Sequence, residues 1–339
     1  MVPSVGSWGA KSKLLMKGLM TLHRPDGQSN VFVFSLPRGG STWLMELICT
    51  QPGFKPCSDP LNLREIEVRR HSGLERWEDL YDPEKAALLR RYFQGFCDGS
   101  VRFRNLHPGR ANYRPLTRRV AFKMHACEDR INWFRDEFNG RVVLFLRHPI
   151  AVSLSRQENP ILGAMLSSGM YRRHFDEDQL AYAARIWETG TALEQKVLAW
   201  CLFTAVALRA REDDWAVVTY EQLVLEPAPA IDYLARKLLL PRPAEMLRRV
   251  AAPSRVKFKS DRETQRLLAD AAAGSGDERR SLVGKWRARV SEAEERRAME
   301  IPERFGIDVY RAGDDLPTQT RWITSQAAGA VPERALALA

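Results

Sequence analysis

The residues best suited to chemistry lie in Ser35-Leu36-Pro37-Arg38-Gly39-Gly40-Ser41-Thr42-Trp43. Two glycines separate an apolar run, Val31–Leu36, from a segment with apolar residues at helical spacing, Trp43, Leu44, Leu47 and Ile48. A glycine turn at a helix N-terminus presents successive backbone N–H groups, and the helix dipole adds to their pull on an anion. The Arg38 guanidinium can neutralise a phosphate or sulfate, and the Ser41 and Thr42 hydroxyls add donors. An ordinary strand-to-helix turn capped by Ser41 is the plain alternative. The segment lacks the GxxxxGK[ST] pattern, because no Lys directly precedes the hydroxyl residues. A kinase acting on ATP would need that Lys and a magnesium site.

Two groups could serve as a general base. Val120-Ala121-Phe122-Lys123-Met124-His125 reads as a buried strand, and alternation puts Lys123 and His125 on one face. His125 would stand at the strand's carboxyl end, where α/β sites open. A lone His is more often structural. The rival is Asp59 in Cys57-Ser58-Asp59-Pro60-Leu61-Asn62, which could equally be a turn residue before proline. A further cation, Arg147, follows the apolar run Val142–Leu146. Pro149 can then open a helix that carries Ser155 two turns along.

These residues need a frame. Buried strands are expected at 31–36, 120–124, 142–146 and 216–219. Helices are expected at 42–50, with Ser41 as cap, near 83–95, at 128–138 and over one long stretch, 178–211. Strand–helix alternation gives a mostly parallel, doubly wound α/β sheet, P-loop-like and flanked by helices. Residues 57–118 are Arg-rich with little periodicity. Residues 157–177, with Pro160, Gly163 and Gly169, read as a loop.

The 339 residues are 45% hydrophobic, enough for a large core. The net charge of +10 fits either a solvated surface or an anionic partner. No nucleic-acid reading motif supports a nucleic-acid partner, and none is expected. The five cysteines include no CxxC pair, so reduced core thiols are expected, with no metal site. No apolar run is long enough for a signal peptide or a membrane span. A cytoplasmic protein is the default reading.

The segment Pro37–Trp43 resembles the 5′-phosphosulfate loop of the nucleotide-dependent sulfotransferases, in their cytosolic and bacterial branches. Arg147 with Ser155 resembles the family's 3′-phosphate motif, a strand, an Arg and a Ser eight residues later. Val218-Thr219-Tyr220-Glu221-Gln222-Leu223 resembles its Tyr-Glu-Asp-Leu segment, whose Tyr lies near the adenine. Arg279-Arg280-Ser281-Leu282-Val283-Gly284-Lys285-Trp286 resembles its late Arg-Lys-Gly-x-x-Gly-Asp-Trp, with Ser281 for Gly and Lys285 for Asp. The resemblance spans about residues 30–310, and 57–118 match it poorly.

It implies transfer of a sulfuryl group from 3′-phosphoadenosine 5′-phosphosulfate to a hydroxyl or amine of a small-molecule, natural-product or carbohydrate acceptor. Arg38, Gly39, Gly40, Ser41 and Thr42 would hold the phosphosulfate. Arg147, Ser155, Arg279, Arg280 and Ser281 would hold the 3′-phosphate, and Trp43 and Tyr220 would face the adenine. Lys123-x-His125 resembles the Lys-x-His of cytosolic members, where the His is the base. Carbohydrate-type and many bacterial members carry Glu-Pro-Leu where this chain has Asp59-Pro60-Leu61. Residues 1–29 would be a lead-in, 30–310 the catalytic domain and 311–339 a tail. Residues 57–118 and 157–177 would be acceptor-side insertions. No metal is implied, and a homo-oligomer stays open. An ATP-dependent kinase and a basic nucleic-acid-binding module are the alternatives.

Overall fold

In the computed structural model, residues 21–106, 108, 112–156, 162–250 and 276–318 are described. Strands β1 (Leu22–His23) and β4 (Leu116–Thr117) form a small parallel pair. The main sheet holds β2 (Asn30–Phe34), β3 (Phe54–Ser58), β5 (Arg119–Met124), β6 (Gly140–Leu146) and β7 (Ala216–Thr219). Its order is β3-β5-β2-β6-β7, and every neighbouring pair is parallel. All five strands therefore end at one edge, with the strand order reversing around β2, the place where open α/β sheets bind ligands.

The strands are apolar on both faces because helices cover both. Phe32, Phe34, Phe122 and Leu144 join one core with Phe93, Phe96, Phe134 and Trp200. Val31, Val33, Ala121, Val143 and Val218 join another with Leu44, Leu47, Ile231 and Leu234. Continuous apolar runs are what such a sheet requires.

Several expected elements differ. The helix expected over 178–211 is two, Glu177–Thr189 and Ala192–Arg209. Thr191 starts the second with a capping box to Glu194, so the break at Gly190-Thr191 is encoded locally. The stretch expected to be helical over 128–138 begins as a 3₁₀ turn, Glu128–Arg130, before the α-helix Ile131–Glu137. Ser41 is the first helical residue; Gly40 is the N-cap, with no side-chain cap bond. Residues 162–172 are not a loop but two short helices, Leu162–Ser167 and Gly169–Arg172. Leu162, Met165 and Tyr171 are buried there. Helices this short show no sequence periodicity. Residues 157–161 lie outside the described residues. Residues 57–118 carry more regular structure than their lack of periodicity suggests. β3 is an edge strand of the main sheet, and the helix Ala86–Asp98 buries Tyr92, Phe93 and Phe96. Pro56 in β3 masked the strand, since proline is tolerated at edges and weakens the pattern.

All five cysteines are free and four are buried. Among the described residues no helix is long and apolar enough to cross a membrane.

Candidate active site

The cradle follows β2. Gly39 N–H donates to the Leu36 carbonyl at 3.0 Å and closes the turn. Arg38 (φ 73°) and Gly40 (φ 93°) are both left-handed. A Cβ at Gly40 would stand 2.9 Å from the Tyr220 ring, and one at Gly39 would stand 2.5 Å from Ser35 Oγ. The Gly-Gly pair is therefore required here by both backbone and space. With no side-chain cap on the helix Ser41–Ile48, its first-turn amides stay available to an anion. Ser41 is buried and Thr42 half-buried.

The base candidates sit on one side of this cradle and touch each other. Ser58 on β3 is in register with Lys123 on β5, which brings Asp59 beside His125. Asp59 Oδ2 lies 2.9 Å from Lys123 Nζ, and Asp59 Oδ1 lies 3.1 Å from His125 Nε2. Lys123 Nζ also donates to Thr42 Oγ1 at 3.2 Å, joining this group to the cradle. His125 Nδ1–H donates to the Ser35 carbonyl. Burial pushes the Asp59 carboxyl up, but His125 and Lys123 outweigh it and hold the group well below the usual carboxylate range. Asp59 is accordingly an ionised carboxylate in contact with Lys123 and His125, and a weak base by itself.

The backbone here is strained. Besides Arg38, Asp59 (φ 50°) and Ala126 (φ 64°) are left-handed. Non-glycine residues held so cost about 1–3 kcal/mol each and persist where their surroundings over-determine them. Those surroundings are visible. Asp59 N–H donates to the Lys123 carbonyl at 3.1 Å, and Arg104 donates to the Asp59 carbonyl at 2.8 Å. Tyr92 donates to the Pro60 carbonyl at 2.8 Å, and Trp77 Nε1 donates to the Ala126 carbonyl at 2.7 Å.

The other side of the cradle is built on β6 and β7. The Arg147 guanidinium lies 4.2 Å over the Tyr220 ring, and its Nη1 donates to the Arg38 carbonyl at 3.2 Å. Among the described residues Arg147 Nε is buried with no hydrogen-bond partner, as a donor reserved for a ligand would be. Ser155 closes the helix Pro149–Ser155 and is exposed. Its hydroxyl donates to the Ala151 and Val152 carbonyls. Tyr220 opens the helix Tyr220–Leu225, capped by Thr219 through a capping box with Gln222. Trp43 is 5% exposed, its ring 5.7 Å from Tyr220. Both aromatics are thus packed into the protein, Trp43 in the core and Tyr220 beneath Arg147 and Gly40.

The family profile described as Sulfotransferase domain matches residues 28–304. The chain belongs to the sulfotransferase family. Its reaction is the family's transfer of a sulfuryl group from 3′-phosphoadenosine 5′-phosphosulfate. No curated protein matches the chain. Solved structures similar to it include the sulfotransferase domain from the curacin biosynthetic pathway, at 17% identity and TM-score 0.39, covering 90% of this chain and 99% of that one. The sulfotransferase domain of the Synechococcus PCC 7002 olefin synthase is 18% identical with TM-score 0.40, covering 85% and 98%. Mouse sulfotransferase SULT7A1, solved with PAP, is 15% identical with TM-score 0.40, covering 94% of each chain.

In this sulfotransferase the late segment reaches the Arg147 side. Arg279, Arg280 and Ser281 lie on the helix Gly276–Gly284, and Trp286 stacks on His148 at 4.3 Å. Arg280 lines a cavity of about 150 Å³ with Val283, Asp314, Asp315 and Leu316. The sequence reading missed Arg104, Trp77 and Ser35, because each acts through a backbone carbonyl or is held by one. Residue type alone carries no signal of such contacts.

Proposed function

We propose that His125 is the general base of the sulfotransferase and that Asp59 and Lys123 are its partners, not its rivals. The carrying observation is the continuous contact Thr42–Lys123–Asp59–His125, which links the anion cradle to the proton acceptor. The Ser35 carbonyl holds the Nδ1 proton, so Nε2 is the nitrogen that takes one, and the proton it takes is then shared with the Asp59 carboxylate 3.1 Å away. His125 takes the proton from the acceptor hydroxyl or amine as that atom bonds to sulfur. Arg38 meets the charge left on the bridging oxygen when its bond to sulfur breaks. Asp59 balances the imidazolium that results, and Lys123 meets charge spread over the sulfuryl oxygens.

Gly39, Gly40, Ser41 and Thr42 hold the 5′-phosphosulfate. Arg147 reads the 3′-phosphate, with Ser155, Arg279, Arg280 and Ser281 beside it. The unpartnered Arg147 Nε supports that role. For Ser155 to join, its hydroxyl must leave the helix carbonyls. Tyr220 supports the nucleotide side by carrying Arg147, and Trp43 supports it by packing beneath.

The acceptor is a small molecule, natural product or carbohydrate, approached from the β3–β5 side past parts of 57–118 and 157–177. The proposal includes one catalytic domain over 30–310, bacterial and cytoplasmic, working without a metal. It leaves self-association open.

The test is turnover of 3′-phosphoadenosine 5′-phosphosulfate across a panel of sugars, phenols, lipids and natural products, with and without EDTA. Adenosine 3′,5′-bisphosphate should also raise the melting temperature far more than ATP with magnesium. Equal protection by ATP, or a rate abolished by EDTA, would count against the proposal.

A further inference from the structure

One peptide group at the end of β6 is gripped at both polar ends. Trp200 Nε1 donates to the Arg147 carbonyl at 3.1 Å. The N–H of that same peptide, from His148, donates to Glu221 Oε1 at 3.0 Å. The second carboxylate oxygen, Glu221 Oε2, accepts from the Tyr310 hydroxyl at 2.6 Å. Glu221 is 1% exposed and Tyr310 2%. The His148 ring is wholly buried, flat on Trp286 and edge-on to Tyr310 at 5.0 Å. Two helices, Ala192–Arg209 and Tyr220–Leu225, therefore bond this peptide directly, while Tyr310 holds Glu221 and Trp286 packs on the His148 ring.

A carboxylate so deeply buried is costly unless its bonds and a counter-charge repay the lost hydration. Burial raises the Glu221 pKa, and the Tyr310 and His148 bonds and the Arg147 charge oppose that. Burial, then the charges of Arg287 and Arg147, push His148 down to about 3. The histidine ring therefore adds no positive charge near neutral pH, and Arg147 keeps the cationic role at this turn.

The geometry points to Glu221, Trp200 and Tyr310 as positioning residues for Arg147. The gripped peptide spans the two dihedrals at which β6 turns into the following helix. Fixing them fixes the direction in which Arg147 leaves the backbone. The side chain then rests on Tyr220 and on the Arg38 carbonyl, with Nε left over. The arginine is held before the nucleotide arrives, and affinity rises because less ordering remains to be done on binding. This inference rests on the proposed role of Arg147 toward the 3′-phosphate.

The experiment measures binding of adenosine 3′,5′-bisphosphate and adenosine 5′-phosphate by calorimetry to the intact chain and five variants. Tyr310→Phe keeps the ring and removes the hydroxyl; Trp200→Phe removes the indole N–H; Glu221→Gln removes the charge. Each should weaken the bisphosphate about 5–30-fold and leave the monophosphate within about two-fold, the scale of one loosened charge-assisted bond. Added to Arg147→Ala, Tyr310→Phe should cause no further loss, which a general packing defect would not reproduce. Unchanged bisphosphate affinity in folded Tyr310→Phe, equal losses for both nucleotides, or a further loss in the Arg147→Ala background each overturns the clamp. Equal losses of both nucleotides in Arg147→Ala itself overturn the 3′-phosphate assignment, and the clamp with it.

Discussion

The two ends of the sheet's carboxyl edge solve different problems with different materials. At the β3–β5 end stand Asp59, Lys123 and His125, an ionic chain partly open to solvent, on backbone held left-handed at Asp59 and Ala126. At the β6–β7 end stand Arg147, His148 and Glu221 among Tyr220, Trp286 and Tyr310, where the carboxylate and the histidine ring are buried and the rings pack tightly. On its proposed role the first end exchanges a proton with an acceptor that comes and goes, which its partial exposure permits. The second, proposed to read one fixed nucleotide, loses nothing by rigidity and gains discrimination. The cradle between them is tied to both, through Lys123 to Thr42 and Arg147 to the Arg38 carbonyl.

The sharpest way to separate the ends is His125→Ala. Turnover should fall about 10²–10⁴-fold, the usual share of a positioned base. Nucleotide affinity, set at the other end, should hardly move. If folded His125→Ala keeps its rate while Asp59→Asn is inactive, the base assignment passes to Asp59. Arg38→Ala strikes the shared cradle and should cost about 10²–10³-fold in turnover. Near-normal turnover there would remove the cradle from the chemistry.

Arg147→Ala probes the nucleotide end alone. Adenosine 3′,5′-bisphosphate should bind about 10–150-fold more weakly, from a lost charge-assisted bond of about 1.5–3 kcal/mol, with adenosine 5′-phosphate almost unaffected.

The smallest effect is on stability. The folded pKa of Asp59 is depressed, so its contribution is present in full above the ordinary carboxylate value of about 3.9. It is lost as pH falls below that toward the folded value. Asp59→Asn should therefore destabilise the protein at pH 7, by about 1–2 kcal/mol once its partial exposure is allowed for. Denaturant unfolding should show the gap to the unmutated protein closing below about pH 3. A gap independent of pH would mean the ion pairs contribute nothing to stability.

Much of the frame was legible along the chain. β2, β5, β6 and β7 each announced themselves, because a strand covered on both faces must be apolar throughout. Capping residues and short helices were harder. Thr191 and Glu194 encode a break that a run of helix-formers conceals, and the six-residue helix Leu162–Ser167 is too short for any period to register.

Local sequence determined the glycine turn, the Arg after β6 and the Lys-x-His at the end of β5, because each is a short-range pattern of backbone and spacing. It presented Asp59 and His125 as competitors, since 65 residues of chain lie between them and nothing in either segment refers to the other. The pairing of β3 with β5 made them partners. The same holds for Glu221, whose bonds reach 73 residues back to His148 and 89 residues on to Tyr310. A hydrogen bond is specified by where two groups end up, and for groups on different strands and helices only the packed sheet settles that.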